Sequence, residues 1–273
     1  AEKGDYNAQT AQWLSTHSGE ALLDPELQMA EGAGAPLAQQ TVMLRRSWRF
    51  DPQKSIGRLA KLINKKQAGE ARHVLEQPSE QLFNLLVRGE QDAALSDLAI
   101  DGNRNAPGYR HYLEQLRDLR PAADTQWDSE LWAGWAGKVL SAFDQFRLLC
   151  ALRRGPWGVE GLNQRVATQL RRRGLLDSDH GWYEGRPVLV TRNDYSLNLM
   201  NGDIGIALWV PGPDGALALR VAFPRNDGSG GVRFVMPSRL VEVETVFAMT
   251  VHKSQGSEFS HTALVLPDAL NPV

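Results

Sequence analysis

Apolar positions in the first 150 residues recur with a helical period. Ile56, Leu59, Ala60 and Ile63 fall at i, i+3, i+4 and i+7, and Tyr109, Tyr112, Leu113 and Leu116 repeat that spacing. Each set lines one face of an amphipathic helix. Val139, Leu140, Phe143 and Phe146 predict a third helix. Val159, Leu162, Val166 and Leu170 predict a fourth, ending at RRRG, where basic residues suit the last turn and Gly174 stops the helix. The Gly-, Ala-, Pro- and Asn-rich stretches 26–39 and 98–108 read as loops.

From Pro187 the pattern shortens to strand-like runs: PVLVT, IGIALWV, ALALRVAF, GVRFVMP, SRLVEVE, VFAMTVH and HTALVLP. Turn signals separate several of them, NGD at 201–203, PGPDG at 211–215 and NDGSGG at 226–231. Strands joined this tightly form an antiparallel meander or a small barrel, here over about residues 198–244. Leu217, Leu219, Val221 and Phe223 share one face of their strand. The chain therefore reads as an α/β protein.

Composition narrows the class. The 273 residues are 42% hydrophobic, enough to bury a sizeable core in each of about two domains. No run reaches the roughly 18 apolar residues of a membrane helix, and the acidic N-terminus lacks the features of a signal peptide. The single cysteine, Cys150, allows no internal disulfide and no thiolate metal cluster, which fits a reducing compartment, the cytoplasm. The net charge of −2 hides an uneven distribution. Residues 45–72 carry nine basic residues against Asp51 and Glu70, and residues 147–173 carry seven against Glu160. Between them, residues 73–130 hold eleven acidic and five basic residues. A polyanion would meet two basic segments in a protein that is not basic overall, although solvated helix faces give the same pattern.

Familiar catalytic motifs are missing. A phosphate loop needs GxxxxGK[ST]. The nearest approach, Gly137-Lys138, has Val139 in place of the hydroxyl residue and Trp132 in place of the first glycine. That segment, with Trp127, Trp132 and Trp135, reads as a packing or docking helix. GxGxxG, HExxH, GxSxG and paired CxxC are also absent. Pro267-Asp268 follows an apolar strand but lacks the second carboxylate and lysine of a nuclease.

The informative string is TVHKSQGSEF, Thr250 to Phe259, placed directly after the strand VFAM. Hydroxyl, amide and cationic donors in one loop suit a phosphodiester, and Gly256 permits close backbone approach. From composition alone, a strand-to-helix connection is the commoner outcome, with Ser257 as cap, Lys253 solvated and Glu258 in the first helical turn.

The string closely resembles the fifth helicase motif of superfamily-one DNA helicases, and the resemblance extends further. LRRSWRF at 44–50, IGRLAKLIN at 56–64, FRLLCALRRGPWGVEGLNQRV at 146–166, WYEGRPVLVTRND at 182–194, NGDIGIAL at 201–208 and AMTVHKSQGSEF at 248–259 occur in the order seen in the exodeoxyribonuclease V alpha chains, the RecD helicase subunits. The resemblance implies a RecA-like second helicase lobe with an inserted SH3-like barrel. Residues 1–40 would end the first lobe or connect to it, 41–197 and 245–273 would form the second lobe, and 198–244 the barrel. It implies a motor that moves 5′ to 3′ along single-stranded DNA, using ATP and magnesium in the parent protein. The beta and gamma chains would be its partners, in a complex that processes double-strand breaks, with no membrane contact.

Residue by residue, Arg49 corresponds to the arginine that reaches the γ-phosphate, as catalytic and nucleotide-binding residue. Thr250, His252, Lys253 and Ser254 would face DNA. Gly256 and Glu258 would face the nucleotide, Glu258 accepting from a ribose hydroxyl. Asn193, beside Asp194 at a strand end, would touch DNA, and a turn role reads as well. Arg220, Arg225, Arg233 and Arg239 of the barrel would guide the strand. No resident metal is implied in this chain. Missing Walker motifs, and a stop at Val273 before the sixth motif, imply a fragment that binds no nucleotide tightly and turns over no ATP alone. Two rivals remain: a stand-alone RecD-like helicase, and a non-enzymatic interaction module whose barrel binds peptide. The barrel's rings, Trp209, Phe223 and Phe234, alternate like core residues, which disfavours a peptide groove.

Overall fold

A computed structural model describes residues 6–19, 36–40, 49–77, 79–103, 106–225 and 230–266. Residues 44–48 of the LRRSWRF string, 226–229 of the glycine-rich turn, and Pro267 with Asp268 lie outside them. The chain divides into two units, Ala1–Asn84 and Leu85–Val273.

The first unit is helical. α1 (Ala8–Ser18) starts at Asn7, whose side chain accepts from the Thr10 amide at 2.8 Å, and stops at Gly19 with φ 70°. α2 (Ser55–Asn64) carries the predicted stripe and α3 (Ala68–Glu76) follows it. The α2 stripe is not deeply buried, and Ile63 stays 59% exposed.

The second unit opens with α4 (Ala94–Asp101), which corrects the loop expected over 98–108. Leu95, Ala99 and Ile100 bury one face, so the helix runs on to Gly102, the first residue of the turn. α5 (Tyr109–Asp118), α6 (Glu130–Phe143) and α7 (Val159–Arg172) match the remaining periodic segments. α6 buries Trp132 and Trp135, and their indole N–H groups donate to the Gln126 and Leu116 carbonyls at 3.1 Å. Trp127 remains partly exposed.

Phe146 does not belong to α6. It starts β1 (Phe146–Cys150), a strand buried at all five positions. A short continuous apolar run carries no period to separate strand from helix, so FRLLC reads as either. β1 is the centre of a parallel sheet in the order β7-β1-β8, with β7 at Ala248–Thr250 and β8 at His261–Val265. The register sets Cys150 opposite Thr250 on one side and Val265 on the other.

The other predicted strands form a five-stranded sheet in the order β5-β4-β3-β2-β6. β2 spans Pro187–Val190, β3 Ile204–Pro211, β4 Leu217–Pro224, β5 Val232–Val235 and β6 Val243–Thr245. All its pairings are antiparallel. The sheet draws in Pro187–Val190 from before the expected boundary at 198, and among the described residues no ladder joins β5 to β6. Alternation sends Ile206, Leu208 and Val210 into the helical core against α6, while Ala207, Val221 and Phe223 join Val188 and Leu240 on the opposite face. Leu219 packs partly there and Leu217 is exposed at the strand start. Trp209 is 40% exposed and so departs from the core pattern expected of it. No described helix is long and apolar enough to cross a membrane.

The Cys150 side chain is inaccessible; its thiol donates to the Leu152 carbonyl at 3.2 Å, and burial pushes its pKa up. A buried, protonated thiol is a poor nucleophile. We expect Cys150 to resist an aromatic disulfide reagent in the native chain and to react fully in denaturant, measured by absorbance of the released thiolate.

Candidate nucleic-acid interface

The TVHKSQGSEF string leaves the carboxyl end of the parallel sheet, where open α/β sheets present loops to ligands, and returns to the amino end of β8. Thr250 closes β7 and caps a single 3-10 turn, Val251–Ser254, its hydroxyl accepting from the Lys253 amide at 3.3 Å. The Ser254 hydroxyl donates to the Val251 carbonyl at 2.8 Å. Both hydroxyls thus shape the turn. Gly256 has φ 83° with open space around it, so its requirement is conformational and not one of crowding. From there the chain runs to β8 without a helix. This corrects the helix expected at Ser257, and Glu258 lies in an exposed loop, not a first helical turn.

His252 is exposed, and Lys253 is drawn aside by a carboxylate. The Lys253 Nζ donates to Glu244 Oε1 at 2.6 Å, while Arg153 Nη2 lies 3.4 Å from Glu244 Oε2. Arg153 follows β1 and Lys253 follows β7, so neighbouring parallel strands deliver two cations to one place. Sequence reasoning missed both Arg153 and Glu244. The basic cluster in LRRGPWG was a signal for the first. Glu244 looks like any exposed strand carboxylate until β6 is brought against the loop.

Three contacts hold this platform. Asn163, buried on α7, donates to the Val159 carbonyl at 2.8 Å and the Ala248 carbonyl at 3.0 Å, and its own carbonyl accepts from the Ala248 amide at 3.0 Å. Tyr109 on α5 donates to the Phe247 carbonyl and accepts from the Leu148 amide at 3.4 Å. Burial, opposed by the charge of Arg147, pushes this hydroxyl up to about 12, so it stays a donor. At the far end of the loop, the fully buried Arg147 pairs with Asp144 at 2.7 Å and lies over the rings of Phe143 and Phe259, 4.6 and 5.1 Å from their centroids.

Of the other predicted residues, Asn193 and Asp194 follow β2 in the second unit. Asn193 precedes a tight turn over 194–199, accepting from the Asn201 amide at 2.8 Å and donating to the Tyr195 hydroxyl at 3.2 Å. Asp194 builds that turn, and hydrogen bonds from Ser196 and Leu197 hold its carboxyl below the usual range. Asn193 and the largely exposed Tyr195 line an open cleft of about 850 Å³. Arg49 lies in the first unit and is exposed there.

No family model matches the chain. It is 36% identical over 242 residues to the RecBCD enzyme subunit RecD of Haemophilus influenzae, covering 87% of this chain and 35% of that protein. It is 29% identical over 129 residues to the ATP-dependent RecD2 DNA helicase of Deinococcus radiodurans, covering 46% of this chain and 17% of that protein. Among solved structures, Bacteroides Pif1 bound to ssDNA overlaps 57% of this chain and 40% of that one at 16% identity, with a TM-score of 0.26, too loose an overlap to inform the fold. The chain thus spans about a third of the length of the RecD protein it matches.

Replacing Asn163 with leucine keeps the branched side-chain shape, adds bulk, and orphans the Ala248 amide and carbonyl at a buried site. We expect a loss of about 2–4 kcal/mol in stability, read as a lower urea midpoint with an unchanged slope.

Proposed function

The chain belongs to the RecD family, and from that premise we propose that it is the second motor lobe of a 5′ to 3′ DNA helicase, lending a single-stranded DNA contact through the loop after β7. What supports the reading is one observation: Lys253 and Arg153 converge at the carboxyl ends of two neighbouring parallel strands. Phosphate contacts need cations on a rigid frame, and a sheet edge supplies one. Thr250 and His252 flank the pair as further donors, and Ser254, whose hydroxyl donates to Val251, sits beside them in the turn. Asn193 and its cleft form a second contact, at the end of the antiparallel sheet, which stands for the inserted SH3-like barrel. Gly256 and Glu258 face the nucleotide, and Arg49 supplies the cation for the γ-phosphate.

In this reading the second lobe is made of 41–197 and 245–273, with 1–40 connecting to the first. The parent works with the beta and gamma chains of exodeoxyribonuclease V on double-strand breaks, using ATP and magnesium. The Haemophilus relative carries the RecBCD name over most of this chain, whereas the RecD2 likeness covers under half of it, which favours the complex over a stand-alone helicase. The sequence contains no Walker-type loop with which to cradle a triphosphate.

Fluorescence anisotropy with a labelled single-stranded oligonucleotide tests the reading. Binding should weaken as salt rises, and Lys253→Ala should lower affinity about five- to ten-fold at low salt. Released phosphate should stay at background with ATP and DNA present. A folded chain that ignores the oligonucleotide at low salt would sink the DNA contact, and DNA-stimulated phosphate release that co-purifies with the chain would sink the inactivity.

A further inference from the structure

The proposed DNA contact already holds an anion. Glu244 gives one carboxylate oxygen to Lys253 at 2.6 Å and the other to Arg153 at 3.4 Å. The two non-bridging oxygens of a phosphodiester present a similar two-point fork to paired cations. The geometry points to Arg153 and Lys253 as a two-cation phosphate site that Glu244 fills until a DNA backbone displaces it. This inference rests on the reading of the loop as a DNA contact and adds how that contact is regulated.

Three features support exchange over a permanent structural bridge. The side chains of Arg153, Glu244 and Lys253 are 65%, 28% and 24% exposed, so water reaches all three. The Arg153–Glu244 contact, long at 3.4 Å and open on the arginine side, contributes little to stability and costs little to break, so the tighter, part-buried Lys253–Glu244 pair is the one a phosphate has to match. Each group also sits on its own frame: Glu244 on β6, Lys253 on the turn capped by Thr250, and Arg153 beyond β1. Glu244 can therefore turn to solvent without moving either cation. With its carboxylate in place the trio carries a single net positive charge. When a phosphate takes its position, both cations face the backbone.

The consequence is a grip set below its maximum. A strand-tracking protein has to release each phosphate as well as hold it, and an internal carboxylate that reoccupies the site speeds release. Neutralising Glu244 should therefore tighten binding, the opposite of what loss of a structural strut would do.

The test is anisotropy of a labelled oligo(dT) against the full 273-residue chain across a salt series. Glu244→Gln should bind about three- to five-fold tighter than wild type at low salt. That gain should vanish in a Lys253→Met background. Arg153→Gln should weaken binding and lower the salt slope by about 0.7, one contact on a single strand. Equal or weaker binding by Glu244→Gln, with an unchanged urea midpoint, overturns the inference. If that variant misfolds, Arg153→Gln decides alone, since its exposed side chain is dispensable for folding, and unchanged binding overturns the proposal. Failure of the wild type to bind at all would instead take down the DNA reading on which this one stands.

Discussion

One carboxamide governs where the loop after β7 points. β7 is three residues long and lies at the edge of its sheet, paired on one side with β1. An edge strand leaves a row of main-chain groups without partners. Asn163 answers at Ala248, matching both the amide and the carbonyl as a neighbouring strand would. Because Asn163 is carried on α7, the helix that follows β1, the edge strand is fixed to the same βα unit whose loop bears Arg153. Tyr109 adds a tie at Phe247, one residue earlier. With the strand held on both sides, the turn at Thr250 starts from a defined position.

The loop itself is stabilised by short local contacts, Thr250 to Lys253, Val251 to Ser254 and Ser254 to Ser257, and by the Arg147–Phe259 stack at its far end. Arg147 is an expensive residue to bury. Asp144 supplies a counter-charge at Nη2 and two rings cover its faces, while Nε and Nη1 are buried without a hydrogen-bond partner. Of the side chains left over at the platform, His252 and Arg153 are open to water, while Lys253 is part-buried against Glu244. Packing is concentrated beneath the loop and charge above it.

Local charge matters more here than the net value of −2. The basic segment over 147–173 divides on folding. Arg147 is internal, Arg173 pairs with Asp97 and Asp101, and Arg165 covers Trp157. Of the seven cations counted along the sequence, Arg153 is the one joined to Lys253 through a shared carboxylate. Counting charges along the chain therefore overstates the basic surface.

The sequence by itself determined the elements with a clear period: α2, α5 and α7, the seven strands after Pro187, and the motif string with its special glycine. Those are local properties, set by periodicity, short apolar runs and the turn chemistry that bounds them within a few residues. Three things were decided only by tertiary structure. β1 emerged from a run with no period, because burial on both faces removes the alternation that marks a strand. α4 continued through an expected loop because Ala99 and Ile100 found a core to enter. The carboxylate between Lys253 and Arg153 appeared because Glu244 and Arg153, 91 positions apart, meet where two sheets adjoin. An ion pair between distant residues leaves no periodic trace in a sequence; it exists only once the backbone has placed both ends.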